Sequence, residues 1–416
     1  MKKLIWLMAI FLTGAFSPVA ADQKILTIGV SGTYSGGFAS VGKSVSDGEA
    51  DYLHWLGAKG GIEYKSPDGS TEKAGIRVIV EDNRYNPAQA VNIYESFRAK
   101  GVNMIIGFGS TPGQVCAANA SKDRIPYLSW YAYATPLGYR PSPQYYWTFL
   151  PTIAESATPA IKWFIQEKWK GPGIPKIGIM AANVPSWRIL GKPGMMDTYI
   201  RNIGGELGGV EFIPMVTPDM TVTIGKLVMG KQVNALLLIG NSSQAVVLAK
   251  NLKQMGIDTQ KTTVIFNISA WDETLFKSAS QEIEGIYGEI HTALPDENVP
   301  GMQIVREAAA LAGRTPEEIV VNYINGVIGS MTLETVVRNA LEKHGYEKVV
   351  QSGEYIRDEI HKLKSFDPLG LSAPVGVLHP DMPYFYNHAR IVKASKGKFI
   401  KAGQWISIDR IPGAME

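Results

Sequence analysis

The chain has 416 residues, with 41 Lys and Arg, 38 Asp and Glu, six His and one Cys. Near-balanced charge without a basic block excludes nucleic acid as a partner. A single cysteine excludes an intrachain disulfide, so a hydrophobic core must hold the fold. At the start of the chain, Lys2 and Lys3 precede an apolar run over 4–12 and a small-residue stretch ending Val19-Ala20-Ala21. This is the layout of a secretory signal peptide, residues 1–21, cleaved before Asp22. The run is too short to span ~30 Å of hydrocarbon and no run of ~20 apolar residues follows, so no membrane insertion of the mature chain is expected. Cys116 lies far beyond the cleavage point, which leaves no cysteine at the new N-terminus for a lipid anchor. The mature chain of 395 residues (416 less 21) carries a formal charge of +1 once Lys2 and Lys3 are gone. That length exceeds one usual core, so two lobes are expected.

Along the mature chain, short apolar runs alternate with longer amphipathic stretches. Strands are predicted over 25–30, 76–80, 104–106, 127–129, 176–180, 235–239 and 263–266, and helices over 46–56, 88–100, 113–120, 157–169, 193–203 and 245–255. Unbroken apolar strands between helices imply an α/β protein whose parallel sheets are covered on both faces. The Gly/Pro-rich stretch 171–175 reads as a turn.

Two motifs invite an enzyme reading. Gly37-Phe38-Ala39-Ser40-Val41-Gly42-Lys43-Ser44 satisfies G-x-x-x-x-G-K-S, and Val78-Ile79-Val80-Glu81-Asp82 resembles a magnesium-holding strand. A phosphate loop, however, springs directly from a strand end, and here Ser31 to Gly36 intervene after Val30. The match reads as coincidence, with Lys43 an ordinary surface residue. Gly107-Phe108-Gly109 follows a strand, but its next glycine, Gly113, comes one position too late for a dinucleotide fingerprint. There, Ser110, Thr111 and Pro112 open a helix whose free amides and hydroxyls either cap it or accept a carboxylate.

No G-x-S-x-G, H-E-x-x-H or Cys/His cluster occurs, so no catalytic residues, cofactor or metal are assigned and the chain is read as a non-enzyme. His379 and His388, on either side of Asp381, lack helical ligand spacing and read as solvated or core histidines. Aromatic residues cluster instead in segments after strands: Trp130, Tyr131, Ala132 and Tyr133 after 127–129, Trp187 after 176–180, and Trp271 after Thr263–Phe266. In open α/β sheets these carboxyl ends are the ligand edge, so a cleft with large apolar walls is expected. The alternative is that each ring packs its own lobe.

The series Gly32-Thr33-Tyr34-Ser35-Gly36, Gly60-Gly61-Ile62, Glu81-Asp82-Asn83, Asn86-Pro87-Ala88-Gln89-Ala90, Gly107 with Ser110, Ile125-Pro126 and Ala134-Thr135-Pro136 resembles the periplasmic branched-chain amino acid-binding proteins of ABC importers. The resemblance implies the type I periplasmic-binding fold: two Rossmann-like lobes joined by three crossover strands, with a ligand enclosed by hinge closure. It places one lobe at 22–149 and 291–378 and the other at 150–290 and 379–416. It also implies a periplasmic monomer that delivers a small molecule to an inner-membrane ABC permease. By position, Ser110 corresponds to the serine that meets the ligand carboxylate, with Tyr34, Thr111, Trp130, Tyr131, Ala132 and Tyr133 around it. From the second lobe come Ser186, Trp187, Asn267, Ser269 and Trp271.

One departure bears on the ligand. Amino acid binders of this family place an acid after the strand matched by Thr263–Phe266, to pair with the ligand ammonium. This chain reads Asn267-Ile268-Ser269-Ala270-Trp271 there, with the first acid at Asp272. Burying an unpaired ammonium costs several kcal/mol, on the order of a lost buried ion-pair partner. An aromatic or apolar carboxylate is therefore expected, with Trp130, Tyr131, Trp187 and Trp271 as walls. A branched-chain amino acid or short amide is the alternative ligand; a ligand-sensing module or an exported α/β hydrolase are the alternative classes.

Overall fold

The computed structural model describes residues 24–379 and 384–414, so the leader and Asp381 lie outside the described residues. The chain builds two sheets. The first holds β1 (Ile25–Gly32), β2 (Ile62–Lys65), β3 (Thr71–Asp82), β4 (Met104–Phe108), β5 (Tyr127–Tyr133) and β6 (Tyr146–Leu150), in the order β2-β3-β1-β4-β5-β6. The second holds β7 (Lys176–Ala182), β8 (Glu206–Ile213), β9 (Ala235–Ile239), β10 (Thr263–Phe266), β11 (Tyr287–Ile290), β12 (His388–Ser395) and β13 (Lys398–Ser407), in the order β13-β12-β11-β10-β9-β7-β8.

The central strands are parallel and buried, as their apolar runs dictate. The edges depart from the expected all-parallel arrangement: β2 pairs antiparallel with β3, and β11, β12 and β13 form an antiparallel meander. Short turns join β2 to β3 and β12 to β13, and a short connection forces antiparallel pairing, whereas β12 reaches β11 only after the chain has returned from the first sheet.

Helices α1 (Ala39–Ala58), α2 (Pro87–Ala99), α3 (Ser110–Asp123), α4 (Ser242–Gln254), α5 (Pro300–Leu311), α6 (Val321–His344) and α7 (Glu354–Lys362) cover the sheets. The G-x-x-x-x-G-K-S stretch lies at the start of α1. The Gly42 amide donates to the Phe38 carbonyl inside the helix, and Lys43 pairs with Asp47 at 2.6 Å, so no phosphate loop forms. Helices α1 and α6 cross in backbone contact. A Cβ at Gly48 would sit 2.1 Å from the Tyr323 carbonyl, and one at Gly326 would sit 2.0 Å from that of Val45. Only hydrogen side chains permit that approach.

The chain passes between the two sheets after β6, after β11, and again ahead of β12. The third passage runs beside the first: the Phe385 amide donates to the Thr148 carbonyl and the Tyr386 amide to that of Phe149. An aromatic cluster fills this junction, with Trp130 stacked on Phe149 at 4.6 Å and Tyr386 against Trp130 and His291 at 5.0 Å each.

Candidate ligand-binding site

Strand β4 delivers the chain through Gly109, at φ +100°, into α3. No side chain caps this helix. The Ser110 hydroxyl turns instead to β5, accepting the Tyr133 amide at 3.0 Å and donating to the Tyr131 carbonyl at 3.3 Å. It thereby fixes two tyrosines beside a helix N-terminus whose first amides the helix itself leaves unused. Thr111 lies next along, and Pro112 contributes no donor.

Strand alternation then decides which aromatics reach the cleft. Tyr131 and Tyr133 point toward the second lobe. The Tyr131 hydroxyl stands 2.5 Å from Asn322 Oδ1 and 3.1 Å from the Ile268 carbonyl. The Tyr133 hydroxyl stands 2.7 Å from Ser269 Oγ and accepts from Asn267 Nδ2 at 3.2 Å. Tyr131 holds φ +46°, a conformation that costs energy for a bulky residue and persists because its hydroxyl and its backbone carbonyl are both held. Burial pushes both phenols above their ordinary range, so each stays a neutral hydroxyl.

Between the lobes lies a cavity of about 250 Å³. The first sheet and its helices contribute Phe38, Val41, Tyr85, Phe108, Ser110, Thr111, Gln114, Tyr131 and Tyr133. The second contributes Val184, Ser186, Trp187, Met215 and Ser269. The rings form two runs: Phe38 lies 4.2 Å from Tyr85, Tyr85 6.3 Å from Phe108 and Phe108 5.4 Å from Tyr131, while Tyr133 meets Trp187 edge-on at 5.7 Å. Among the described residues, the lining carries no carboxylate, amine, guanidinium or imidazole. Burial raises the Tyr85 phenol, an effect that the Thr111 hydroxyl and amide partly offset. The polar groups that remain are hydroxyls, the Gln114 amide and the open end of α3. Such a site suits an apolar ring with one anionic end.

Of the residues singled out from the sequence, the cavity gathers Ser110, Thr111, Tyr131, Tyr133, Ser186, Trp187 and Ser269. Asn267 stands behind Tyr133 as its hydrogen-bond support. Four lie elsewhere. Trp130 is fully buried against Phe149, and Ala132 is fully buried too, because on β5 they face away from Tyr131 and Tyr133. Trp271 is fully buried inside the second lobe, stacked on Phe399 at 4.4 Å over Gly288, where a Cβ would lie 2.0 Å from the indole. Tyr34 hydrogen-bonds the Ser46 carbonyl at 3.2 Å within the first lobe. Trp130 and Trp271 are thus core packing, not cleft walls. Phe38, Val41, Tyr85, Phe108, Gln114, Val184 and Met215 take their places.

Asp272 is spent within its own lobe, accepting Ser242 Oγ at 2.5 Å and the Thr274 amide at 2.8 Å. Glu273 reaches the first lobe, where its carboxylate accepts the Val321 amide at 3.0 Å at the N-terminus of α6. Burial pushes that carboxyl up to about 8, against the pull of the amide. Cys116 is buried, and burial pushes its thiol up to about 12, so it is not a nucleophile. No group of His, Cys, Asp and Glu among the described residues is placed to hold a metal. No helix among them is long and apolar enough to cross a membrane.

Comparison with known proteins agrees with this architecture. No protein of curated function matches the sequence significantly. Among solved structures, an ABC transporter substrate-binding protein from Aeropyrum pernix superposes with a TM-score of 0.77 at 20% identity, covering 94% of this chain and 98% of that one. A branched-chain amino acid ABC transporter protein from Thermus thermophilus with bound valine gives 0.76 at 17% identity, covering 92% and 97%. A solute-binding protein from Rhodopseudomonas palustris BisB5 in complex with 3,4-dihydroxybenzoic acid gives 0.69 at 19% identity, covering 94% and 99%. A family model described as periplasmic binding protein matches residues 25–398, nearly the whole described chain, and the chain belongs to that family.

Proposed function

We propose that this protein is the periplasmic, monomeric solute-binding component of an ABC importer, and that its ligand is a small aromatic carboxylate. The observation that carries the ligand class is the uncharged aromatic cavity beside the α3 N-terminus, with Asp272 committed to Ser242 and Thr274. The α3 N-terminus receives the carboxylate, with the Ser110 and Thr111 hydroxyls turning to it from the Tyr131 carbonyl and the Tyr85 phenol, and Tyr85, Phe108, Tyr131 and Trp187 surround the ring. An α-amino acid brings an ammonium that this lining leaves unpaired, at a cost of several kcal/mol. The lobes close over the ligand, and a permease that contacts both lobes distinguishes the closed form from the open one. No bond is made or broken in this cycle.

A volume of about 250 Å³ sits just below the ~300–1,000 Å³ typical of drug-sized ligand sites, which favours one ring over larger solutes. Ligands of both classes, valine and a dihydroxybenzoic acid, occur in the solved structures that share this fold. A thermal-shift series on the mature chain separates them. Benzoates at ~100 times their dissociation constant add about 2.7 kcal/mol to stability and raise the melting temperature, whereas leucine and valine leave it unmoved. Stabilisation by leucine or valine alone would assign the site to amino acids.

A further inference from the structure

A second cavity, of about 240 Å³, adjoins the first and shares only Tyr133, Ser186 and Trp187 with it. Its far side is formed by Thr135, by Ile153 on the first passage between the sheets, and by Ile189. The partition between the two chambers is the edge-on contact of Tyr133 with Trp187. Its two halves are held very differently. Tyr133 is tied at its amide by Ser110 and at its hydroxyl by Ser269 and Asn267. Trp187 sits on a short 3-10 segment, Pro185–Gly191, and its side chain makes no hydrogen bond among the described residues. Packing alone keeps the indole in place.

The geometry points to Trp187 as a swinging partition, and to a ligand class broader than bare benzoates: aromatic carboxylates with a short alkyl or alkoxy chain opposite the carboxylate. This rests on the reading of the first chamber as an aromatic carboxylate site. The ring occupies the first chamber with its carboxylate at α3, and the chain displaces the indole and enters the second. Trp187 then sets the length selectivity, closing the wall for short acids and yielding to long ones.

The test compares benzoate with 4-butylbenzoate by calorimetric titration on the parent protein and on two variants. Each buried methylene is worth roughly fourfold in affinity, so 4-butylbenzoate binds the parent at least as tightly as benzoate. In Trp187→Ala the preference for the butyl acid over benzoate rises at least 10-fold, because benzoate loses a wall while the chain no longer has to displace one. In Ile189→Trp, which fills the second chamber from its far side, the same preference falls at least 10-fold. Ile189 is part-exposed, so this second variant tests the inference even where Trp187→Ala folds poorly. A preference that stays within threefold of the parent in both variants overturns the partition and leaves the aromatic carboxylate reading intact. Failure of both acids to bind the parent overturns that reading and the partition together.

Discussion

Ser110→Asp weakens aromatic carboxylate binding at least 100-fold while leaving the melting temperature of the empty protein within a few degrees of the parent. Asp suits the first turn of a helix, where its charge meets the positive end of the dipole, so α3 tolerates it. The introduced carboxylate occupies the position claimed for the ligand's own. Two like charges about 4 Å apart repel by about 4 kcal/mol at an effective dielectric constant near 20, roughly a thousandfold in affinity. Calorimetric titration reads the binding, and a circular-dichroism melt reads the fold. Undiminished binding would move the ligand carboxylate away from α3 and remove the mechanistic role given to its amides.

Between pH 6 and pH 9 the parent protein loses more stability than a Glu49→Gln, Glu289→Gln double variant. Glu49 on α1 is fully buried, and neither carboxyl oxygen has a hydrogen-bond partner among the described residues. Glu289 on β11 is equally buried and unbonded, with His291 Nε2 3.4 Å from one oxygen. Burial pushes both carboxyls above the usual range. The folded protein therefore retains protons that the unfolded chain releases near pH 4.3. Stability from a raised pKa is full below the unfolded value and is lost as pH rises through the folded one. Glutamine keeps the shape and removes the titration. Glu273, pushed up to about 8, titrates within the same window but is present in both proteins, so it cancels in the comparison. Urea unfolding at the two pH values gives the difference, and parallel losses would mean that neither carboxyl is perturbed by folding.

The central strands were legible because each is a short, nearly continuous apolar run, and burial on both faces demands such a run. The edges were not. Strand β13 is half exposed and its sequence, from Lys398 to Ser407, shows no clean apolar alternation, so its pairing with β12 depends on a partner that no local pattern announces. Helix α6 escaped notice for the opposite reason. From Val321 through Glu334 every residue is buried, so the helix shows no amphipathic stripe by which a period of 3.6 is recognised.

In the cavity, sequence order named segments that line it together with neighbours whose side chains face away from it. Four consecutive residues, Trp130 to Tyr133, cannot all meet the cleft when they continue a strand, and the period-two rule would have separated Tyr131 and Tyr133 from Trp130 and Ala132. Phe38, Tyr85 and Met215 come from the start of α1, the β3–α2 connection and the segment after β8. Only the tertiary fold brings them together, and nothing in their local sequence distinguishes them from ordinary core residues. The missing acid after β10 was legible, and the structure adds the reason Asp272 does not replace it: Ser242 and Thr274 already hold its carboxylate.

The uncharged lining is the claim on which the ligand class rests, and a matched pair of ligands tests it most directly. 3-Phenylpropanoate and phenylalanine differ only by the α-ammonium. Calorimetric titration of both into the mature protein is predicted to show phenylpropanoate binding at least 100-fold more tightly, because nothing in the cavity compensates the buried ammonium. Equal or tighter binding of phenylalanine would mean that a carboxylate reaches the ligand amine in the closed protein, and would return the site to the amino acid binders.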